Sequence, residues 1–212
     1  MLGDNHVITI GRQLGSGGAD IGKALADYLG FKYIDRELLI IKAAEKLCQT
    51  TDEIESLDEK ESPLWSSLMQ TAVYDMPYIA DQWYVPTSRQ LFHAQTQFIK
   101  EAVTESPCVL VGRCGAFLFR NYDKAFSIFL HAKEEKRLEK IEATTDVAGP
   151  AALKLLQKED KARGKYYHTF TGKKWLDLTQ YDLSINTGFM SREEMGKVLI
   201  QNIYLRFPEL KK

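Results

Sequence analysis

The sequence lacks the features that mark proteins built around metal centres, membranes or nucleic acids. Its three cysteines and four histidines form no C-x-x-C pair and no other spacing typical of a zinc site, so no structural zinc site is expected. No apolar run approaches membrane-spanning length, and no basic and then apolar leader precedes the first strand pattern. A formal net charge of -1 disfavours a general nucleic-acid-binding surface. We therefore expect a cytoplasmic protein with reduced thiols that binds neither nucleic-acid polymers nor membranes, and its oligomeric state stays open.

Short apolar segments alternate with amphipathic segments along the chain. The segments typical of strands are 8–10, 32–35, 108–111, 126–130 and 181–187. Helices are predicted over 38–47 and 133–143, after the capping-box sequences at 87–90 and 191–194, and from 149 onward. This alternation predicts one α/β domain with insertions, in which right-handed crossovers join the strands of a parallel sheet.

A glycine-rich loop, residues 11–18, joins the first strand pattern to the first helix pattern. The predicted apolar face of that helix holds Ile21, Leu25, Tyr28 and Leu29, and Gly30 ends the helix. Glycines at such a junction let backbone N–H groups converge on an anion, which the helix dipole also favours. A complete Walker A motif, G-x-x-x-x-G-K-[ST], adds a lysine and a hydroxyl, but Gly18 and Ala19 stand there if Gly17 is its last glycine. The loop is therefore either a phosphate cradle or a flexible turn without a ligand.

Two polar residues directly follow strand patterns, at the place where open parallel sheets bind their ligands. Asp35 ends the second pattern, and it either holds a magnesium-bound water or a substrate group, or caps the following helix. Arg113 follows the third pattern, and it either binds phosphate through paired hydrogen bonds or pairs with a carboxylate. In a parallel sheet both residues lie at the same edge as the glycine-rich loop.

A basic stretch, residues 154–174, holds seven Lys or Arg against two acids. It predicts either a lid that closes on phosphates or a solvated helix face. Within it, Asp160 and Arg163 are one helical turn apart, so they either pair with each other or face one ligand together. Arg137, on the preceding predicted helix, faces either the site or solvent. The aromatic-rich residues 63–86 suit either a lid over a flat substrate or a small satellite core.

Four stretches, in this order, resemble the cytidylate kinase family of nucleoside monophosphate kinases, and more closely its cytidylate-kinase-like branch. They are residues 8–35, Val111-Gly112-Arg113, Phe129-Leu130-His131-Ala132 with Arg137, and 160–163 followed by 181–187. The resemblance implies an α/β P-loop kinase fold, in which helices flank a five-stranded parallel sheet. It places the core at 1–48, 87–145 and 181–212, a helical NMP-binding insertion at 49–86 and a helical lid at 146–180. It also implies phosphoryl transfer from ATP, with Mg²⁺, to CMP or dCMP.

The resemblance also implies roles for individual residues. The donor phosphates would meet Gly15, Ser16, Gly17, Gly18, Ala19 and Arg137, the acceptor phosphate Arg113, and the acceptor base and phosphate Asp160 and Arg163. Cytidylate kinases proper carry lysine, serine and aspartate where this chain has Gly18, Ala19 and Cys114, and the divergent branch often has arginine at the position of Ala19. Arg12 is the candidate cation in place of the lysine, so Arg12, Arg113 and Arg163 are the predicted catalytic residues. The missing hydroxyl leaves magnesium to water and Asp35.

Two further functions stay open. A loop without the lysine and the hydroxyl suits a protein that binds nucleotide without catalysis. The aromatic insertion, which departs most from the family, suits a kinase whose acceptor is not a nucleotide.

Overall fold

A computed structural model describes residues 3–59 and 87–211, and the aromatic-rich stretch 63–86 lies outside the described residues. Its strands are β1 Val7–Arg12, β2 Lys32–Ile34, β3 Cys108–Val111, β4 Ala125–His131 and β5 Leu183–Asn186. They form one sheet in the order β2-β3-β1-β4-β5, and all paired neighbours run parallel. The predicted strands and their parallel arrangement are confirmed, although β5 is shorter than the predicted 181–187. Because β1 lies between β3 and β4, the residues that follow β1 and β3 are neighbours at the carboxyl edge of the sheet.

Helices follow the strands as the sequence pattern predicts. In the described part they are α1 Gly18–Leu29, α2 Arg36–Leu47, α3 Thr51–Glu59, α4 Ser88–Glu105, α5 Gly115–Leu118, α6 Glu134–Thr144, α7 Pro150–Thr171 and α8 Arg192–Arg206, with 3-10 turns at Leu178–Gln180 and Pro208–Leu210. Gly30 ends α1 with a φ of 71°, which glycine adopts without strain. The side chains of Ser191 and Glu194 form the predicted capping box of α8, and those of Thr87 and Gln90 form the one before α4.

Helices cover both faces of the sheet, so β3 and the first four residues of β1 are buried. One core cluster joins α1 and α8 to side chains of the strands: Ile8, Ile10, Val109, Val111, Ile128 and Leu130. On the other face Gly115 of α5 lies so close that an added Cβ would be 3.0 Å from side-chain carbons of Thr9 and Leu110. Both faces of β1 and β3 are therefore covered, as is usual for strands of a parallel sheet.

The prediction that Tyr28 lies on the buried face of α1 is wrong, since its side chain is 56% exposed. The buried face of α1 is centred on Gly22 and Leu25 and extends round to Ala26. Tyr28 therefore lies at the margin of this face, where the phenol ring reaches solvent.

The chain divides into two compact units, Met1–Arg36 with Glu101–Lys212, and Glu37–Lys100. The second unit has its own small core in its described part, built from Ile40, Ala43, Ala44, Ile54 and Leu91. All predicted site residues belong to the first unit. The boundaries of the insertion at 49–86 and of the lid at 146–180 stay predictions. No helix in the described ranges is both long and apolar enough to cross a bilayer.

Candidate functional site

The glycine-rich loop folds back tightly between β1 and α1. Gly15 and Gly17 have φ of 77° and 80°, in the left-handed region that favours glycine, and Gly17 precedes the first residue of α1. The loop closes on itself, since Ser16 donates to the carbonyl oxygen of Gln13 from its N–H at 3.3 Å and from its Oγ at 2.8 Å. A Cβ on Gly15 would lie 2.6 Å from the backbone oxygen of Arg137, so α6 holds this part of the loop in place. A short glycine backbone at the start of a helix is the geometry that binds phosphate.

Arg12, the last residue of β1, extends its side chain across the loop. A Cβ on Gly18 would lie 2.7 Å from Cβ and 2.6 Å from Cγ of Arg12, so the arginine stem occupies the space of a side chain at position 18. A Cβ on Gly112 would lie 2.2 Å from Nη1 of Arg12, so the guanidinium rests against the backbone just after β3. Within the described ranges, the side chain of Arg12 makes no hydrogen bond or ion pair, whereas its backbone is in register with Leu130 of β4. Its charge therefore lies at the carboxyl edge of the sheet, between the ends of β1 and β3.

Arg113 lies in an unusual turn directly after β3. Gly112, Arg113 and Cys114 have φ of 87°, 53° and 56°, three consecutive left-handed residues of which two are not glycine. Such conformations cost free energy outside glycine and are concentrated at functional sites. The Arg113 guanidinium carbon lies 5.0 Å from the ring centre of Tyr166, a cation–π contact with α7. The turn thus presents a guanidinium beside that of Arg12.

Asp160 of α7 connects three elements of the site. Its Oδ1 accepts a hydrogen bond of 2.9 Å from the N–H of Leu14, next to the glycine-rich loop, and its Oδ2 pairs with Nη1 of Arg137. Nη1 of Arg163 lies 3.6 Å from Oδ1, and Nη2 of Arg163 lies 3.7 Å from a carboxylate oxygen of Glu159. The predicted alternative in which Asp160 and Arg163 pair with each other is therefore seen. Two other contacts stay predictions: that of Asp160 with an acceptor base, and that of Arg137 with phosphate.

Two arginines of the site have a lowered pKa, and burial is the largest cause for both. Burial, and then repulsion from Arg163 and Arg113, lower the pKa of Arg12 to about 10, against opposing effects of Tyr33 and Asp35. Burial also lowers the pKa of Arg163, while Glu159 and Asp160 act in the opposite direction. Arg12 remains protonated at neutral pH, so its charge adds to those of Arg113 and Arg163, which Asp35, Glu159 and Asp160 offset in part.

Asp35 directly follows β2 and precedes α2, and its charge acts on Arg12. Among the described residues, no group of three or more His, Cys, Asp or Glu forms a metal site. Mg²⁺ in phosphoryl-transfer enzymes is commonly held by one or two carboxylates together with substrate phosphates. The residues present fit an ion brought in with a polyphosphate, for which Asp35 is the candidate carboxylate. Ala19 is exposed and offers no hydroxyl for such an ion.

The sequence analysis missed the residues on the other side of the loop. A cavity of about 350 Å³ lies beside Gly15 and Ser16. Its charged lining consists of three cations and two acids: Lys136, Lys140, Arg192, Asp20 and Glu139. A Cβ on Gly17 would lie 2.8 Å from Nζ of Lys140, so the amino group of this lysine lies next to the end of the loop. The spacing of Lys136 and Lys140 was the available signal, because residues four apart lie on the same side of a helix.

Known proteins resemble this chain in sequence over the part that holds the site. The sequence profile of the cytidylate kinase-like family matches residues 7–188, which include every predicted site residue. The chain belongs to the cytidylate kinase-like family. It is 26% identical over 207 residues to the cytidylate kinase of Methanopyrus kandleri, covering 94% of this chain and 93% of that protein. A match to the cytidylate kinase of Thermoplasma volcanium, 29% identical over 101 residues, spans only about half of that protein, 53%.

Solved structures, a kinase among them, share the fold of this member of the cytidylate kinase-like family. An uncharacterized protein from Eubacterium ventriosum, 21% identical, superposes with a TM-score of 0.70 and covers 94% of this chain and 98% of that chain. A shikimate kinase from Bacteroides thetaiotaomicron, 13% identical, superposes with a TM-score of 0.53 over 94% of this chain and 97% of that chain. The fold is therefore the α/β P-loop kinase fold, and family and fold together are those of a nucleotide or small-molecule kinase.

Proposed function

We propose that this protein transfers a phosphoryl group from ATP to a nucleoside monophosphate, with CMP or dCMP as the acceptor that the family favours. The single observation that carries the proposal is the convergence of Arg12, Arg113 and Arg163 beside a glycine-rich loop. Phosphoryl transfer spreads negative charge over the oxygens of the transferred group, and catalysis consists largely of positioning and of stabilising that charge. A cluster of guanidinium groups beside a helix N-terminus supplies both.

Each part of the site has a role in this proposal. The loop backbone from Gly15 to Gly18 binds the donor phosphates at the start of α1. Arg113 binds the acceptor phosphate, and its guanidinium lies against the Tyr166 ring of α7. Arg163 reaches the same region from α7, so it neutralises charge on the acceptor or on the transferred group. When bound, Mg²⁺ and ATP supply the phosphoryl group and additional positive charge, and Asp35 is the carboxylate available to the ion.

The lysine-lined cavity accommodates the rest of the donor in this proposal. It adjoins Gly15 and Ser16 on the side of the loop away from Arg113, and its volume of about 350 Å³ suits part of a nucleotide. Lys140 and Arg192 supply positive charge there, while Met190 supplies an apolar surface for a base. The donor nucleotide would then lie on one side of the loop and the acceptor on the other.

A second candidate function is nucleotide binding without catalysis. It is favoured by Gly18 and Ala19, which leave the loop without the lysine and the hydroxyl of a complete Walker A motif. The two functions share the same binding site and differ only in whether ADP is formed.

The test is the release of ADP from ATP and Mg²⁺ in the presence of CMP, dCMP, UMP or AMP, with the melting temperature of each variant measured in parallel. We expect turnover with CMP or dCMP that Arg113→Ala and Arg163→Ala each reduce by roughly a hundredfold or more. Arg206→Ala is the matched control, because exposed Arg206 donates to the carbonyl oxygen of Asp123 at the opposite edge of the sheet. Full activity in both site variants would contradict the assignment of the site. Nucleotide binding by calorimetry without ADP formation would favour the second candidate.

A further inference from the structure

Two positions of the Walker A motif are exchanged in this chain. The motif G-x-x-x-x-G-K-[ST] begins with glycine and carries its lysine after the last glycine. If Gly17 is that last glycine, the lysine position is Gly18 and the first glycine position is Arg12. The chain therefore has a cation where the motif has glycine, and glycine where the motif has a cation.

The contacts explain why the two changes occur together. Atoms of the Arg12 stem lie 2.6 Å and 2.7 Å from the point where a Cβ on Gly18 would be, well inside the distance at which carbon atoms can pack. These atoms are Cγ and Cβ, the base of the side chain, and Cβ cannot move away by any side-chain rotation unless the end of β1 moves. An arginine at position 12 and any side chain at position 18 thus exclude each other in this arrangement.

The arginine also reaches the region where the motif's cation acts. Cβ and Cγ of Arg12 lie against Gly18, at the start of α1, and Nη1 lies against Gly112, the residue before Arg113. Gly112 has to be glycine for this approach, since a Cβ would lie 2.2 Å from Nη1 and since its φ is 87°. Two glycines on different elements therefore leave room for one arginine side chain.

We propose that Arg12 supplies from β1 the charge on the donor phosphates that a lysine at position 18 would supply from α1, and that Gly18 and Gly112 make room for it. This inference rests on the proposed function for the identity of the ligand. Arg12 contacts the donor's outer phosphates and the transferred group, which makes it a catalytic residue. The guanidinium offers a planar pair of donors to phosphate oxygens, whereas a lysine offers a point charge.

The test moves the cation from one position to the other. Arg12→Gly removes the cation. The double variant Arg12→Gly with Gly18→Lys, called the relocated variant, restores the glycine and the lysine of the motif. Gly18→Lys alone places a lysine where its Cβ would overlap the side chain of Arg12. Arg12→Met is a second probe of the charge, because it keeps a side chain packed against Gly18. Gly196→Lys is the matched control for adding a lysine, since a Cβ there meets nothing within 4 Å.

Binding of inorganic tripolyphosphate, measured by calorimetry, is the first readout, and ADP formation with CMP is the second. We expect Arg12→Gly and Arg12→Met to weaken tripolyphosphate binding at least tenfold and to lower kcat by roughly a hundredfold. The relocated variant should recover at least tenfold of the lost binding, and Gly18→Lys alone should melt below both the wild type and the relocated variant.

Different results would overturn the role of Arg12 and the proposed kinase function. Wild-type turnover that persists in Arg12→Gly would overturn the role of Arg12 and leave the kinase function standing. Lack of recovery in the relocated variant would also overturn the exchange. If the wild type turns over no acceptor, but tripolyphosphate binding still follows the cation from position 12 to position 18, the exchange stands and the kinase function falls. Tripolyphosphate binding that is equal in the wild type and in Arg12→Gly would overturn the exchange whatever the turnover.

Discussion

Asp160→Asn tests whether the buried pair of Asp160 and Arg137 holds α7 against the glycine-rich loop. The two side chains are only 16% and 8% exposed, so they pair largely out of water. Asparagine keeps an oxygen for the N–H of Leu14 but leaves the Arg137 guanidinium buried without a counter-charge. Breaking one side of a buried pair typically costs about 3–5 kcal/mol. Because part of the Asp160 carboxylate reaches water, we expect a loss of about 3 kcal/mol in the free energy of unfolding.

This loss is large enough to measure by thermal unfolding. For a chain of this length, 1 kcal/mol shifts the melting temperature by about 2–4 °C, so Asp160→Asn should melt about 6–12 °C below the wild type. The control is Glu139→Gln, which breaks a pair with Lys136 whose side chains are 51% and 62% exposed. An exposed pair of this kind contributes about 0.5 kcal/mol, so the control should lose no more than about 2 °C.

A double variant separates the buried charge from other effects of the substitution. Adding Arg137→Met to Asp160→Asn removes the unpaired guanidinium and fills its space with an apolar side chain, which is often neutral in such sites. The double variant should therefore recover at least half of the lost melting temperature. The reasoning is refuted if Asp160→Asn melts within 2 °C of the wild type, or if the double variant is less stable than both single variants.

Three further measurements test other parts of the structure. Ser191→Ala removes the cap that accepts from the N–H of Glu194 at 3.2 Å, and it should cost about 1 kcal/mol in chemical unfolding without changing activity. Burial raises the pKa of the Cys108 thiol to about 11, so at pH 8 iodoacetamide should alkylate exposed Cys48 first and Cys108 only in unfolded protein, as mass spectrometry can show. In the absence of anions, Arg12→Met should raise the melting temperature, because the lowered pKa of Arg12 means that the folded state disfavours its charge at every pH below about 10. A melting temperature equal to or below that of the wild type would contradict that account.

The sequence predicted the order of the elements well, because each strand and helix signal is local. Glycine at position 30, the box at Ser191 and the buried run Cys108–Val111 each define an element from its own few residues. Arg113 was also placed correctly at a strand end, since parallel strands put their carboxyl ends at one edge. Tyr28 was misplaced because a single helix pattern does not show where its buried face is centred.

Contacts between distant parts of the chain could not be predicted in the same way. The order of strands in the sheet makes β3 the neighbour of β1, and only this places Gly112 beside the guanidinium of Arg12. The pair of Arg137 and Asp160 joins residues on two helices, and the sequence offered several acids and bases for each. Lys140 was missed for the same reason, since its position over Gly17 depends on how α6 packs against the loop.

The binding of an anion explains why the site keeps features that lower the stability of the folded protein. Two left-handed residues that are not glycine, and the repulsion of the half-buried Arg12 by Arg163 and Arg113, destabilise the folded chain without a ligand. An anion that binds only the folded state offsets this cost by RT ln(1 + [L]/Kd), which is about 2.7 kcal/mol at a concentration of 100 Kd. Tripolyphosphate should therefore raise the melting temperature of the wild type by several degrees, and of Arg12→Met by much less. The same charges that destabilise the empty site are the ones that a phosphoryl group in transfer requires, so the loss of stability and the proposed catalytic function have one physical origin.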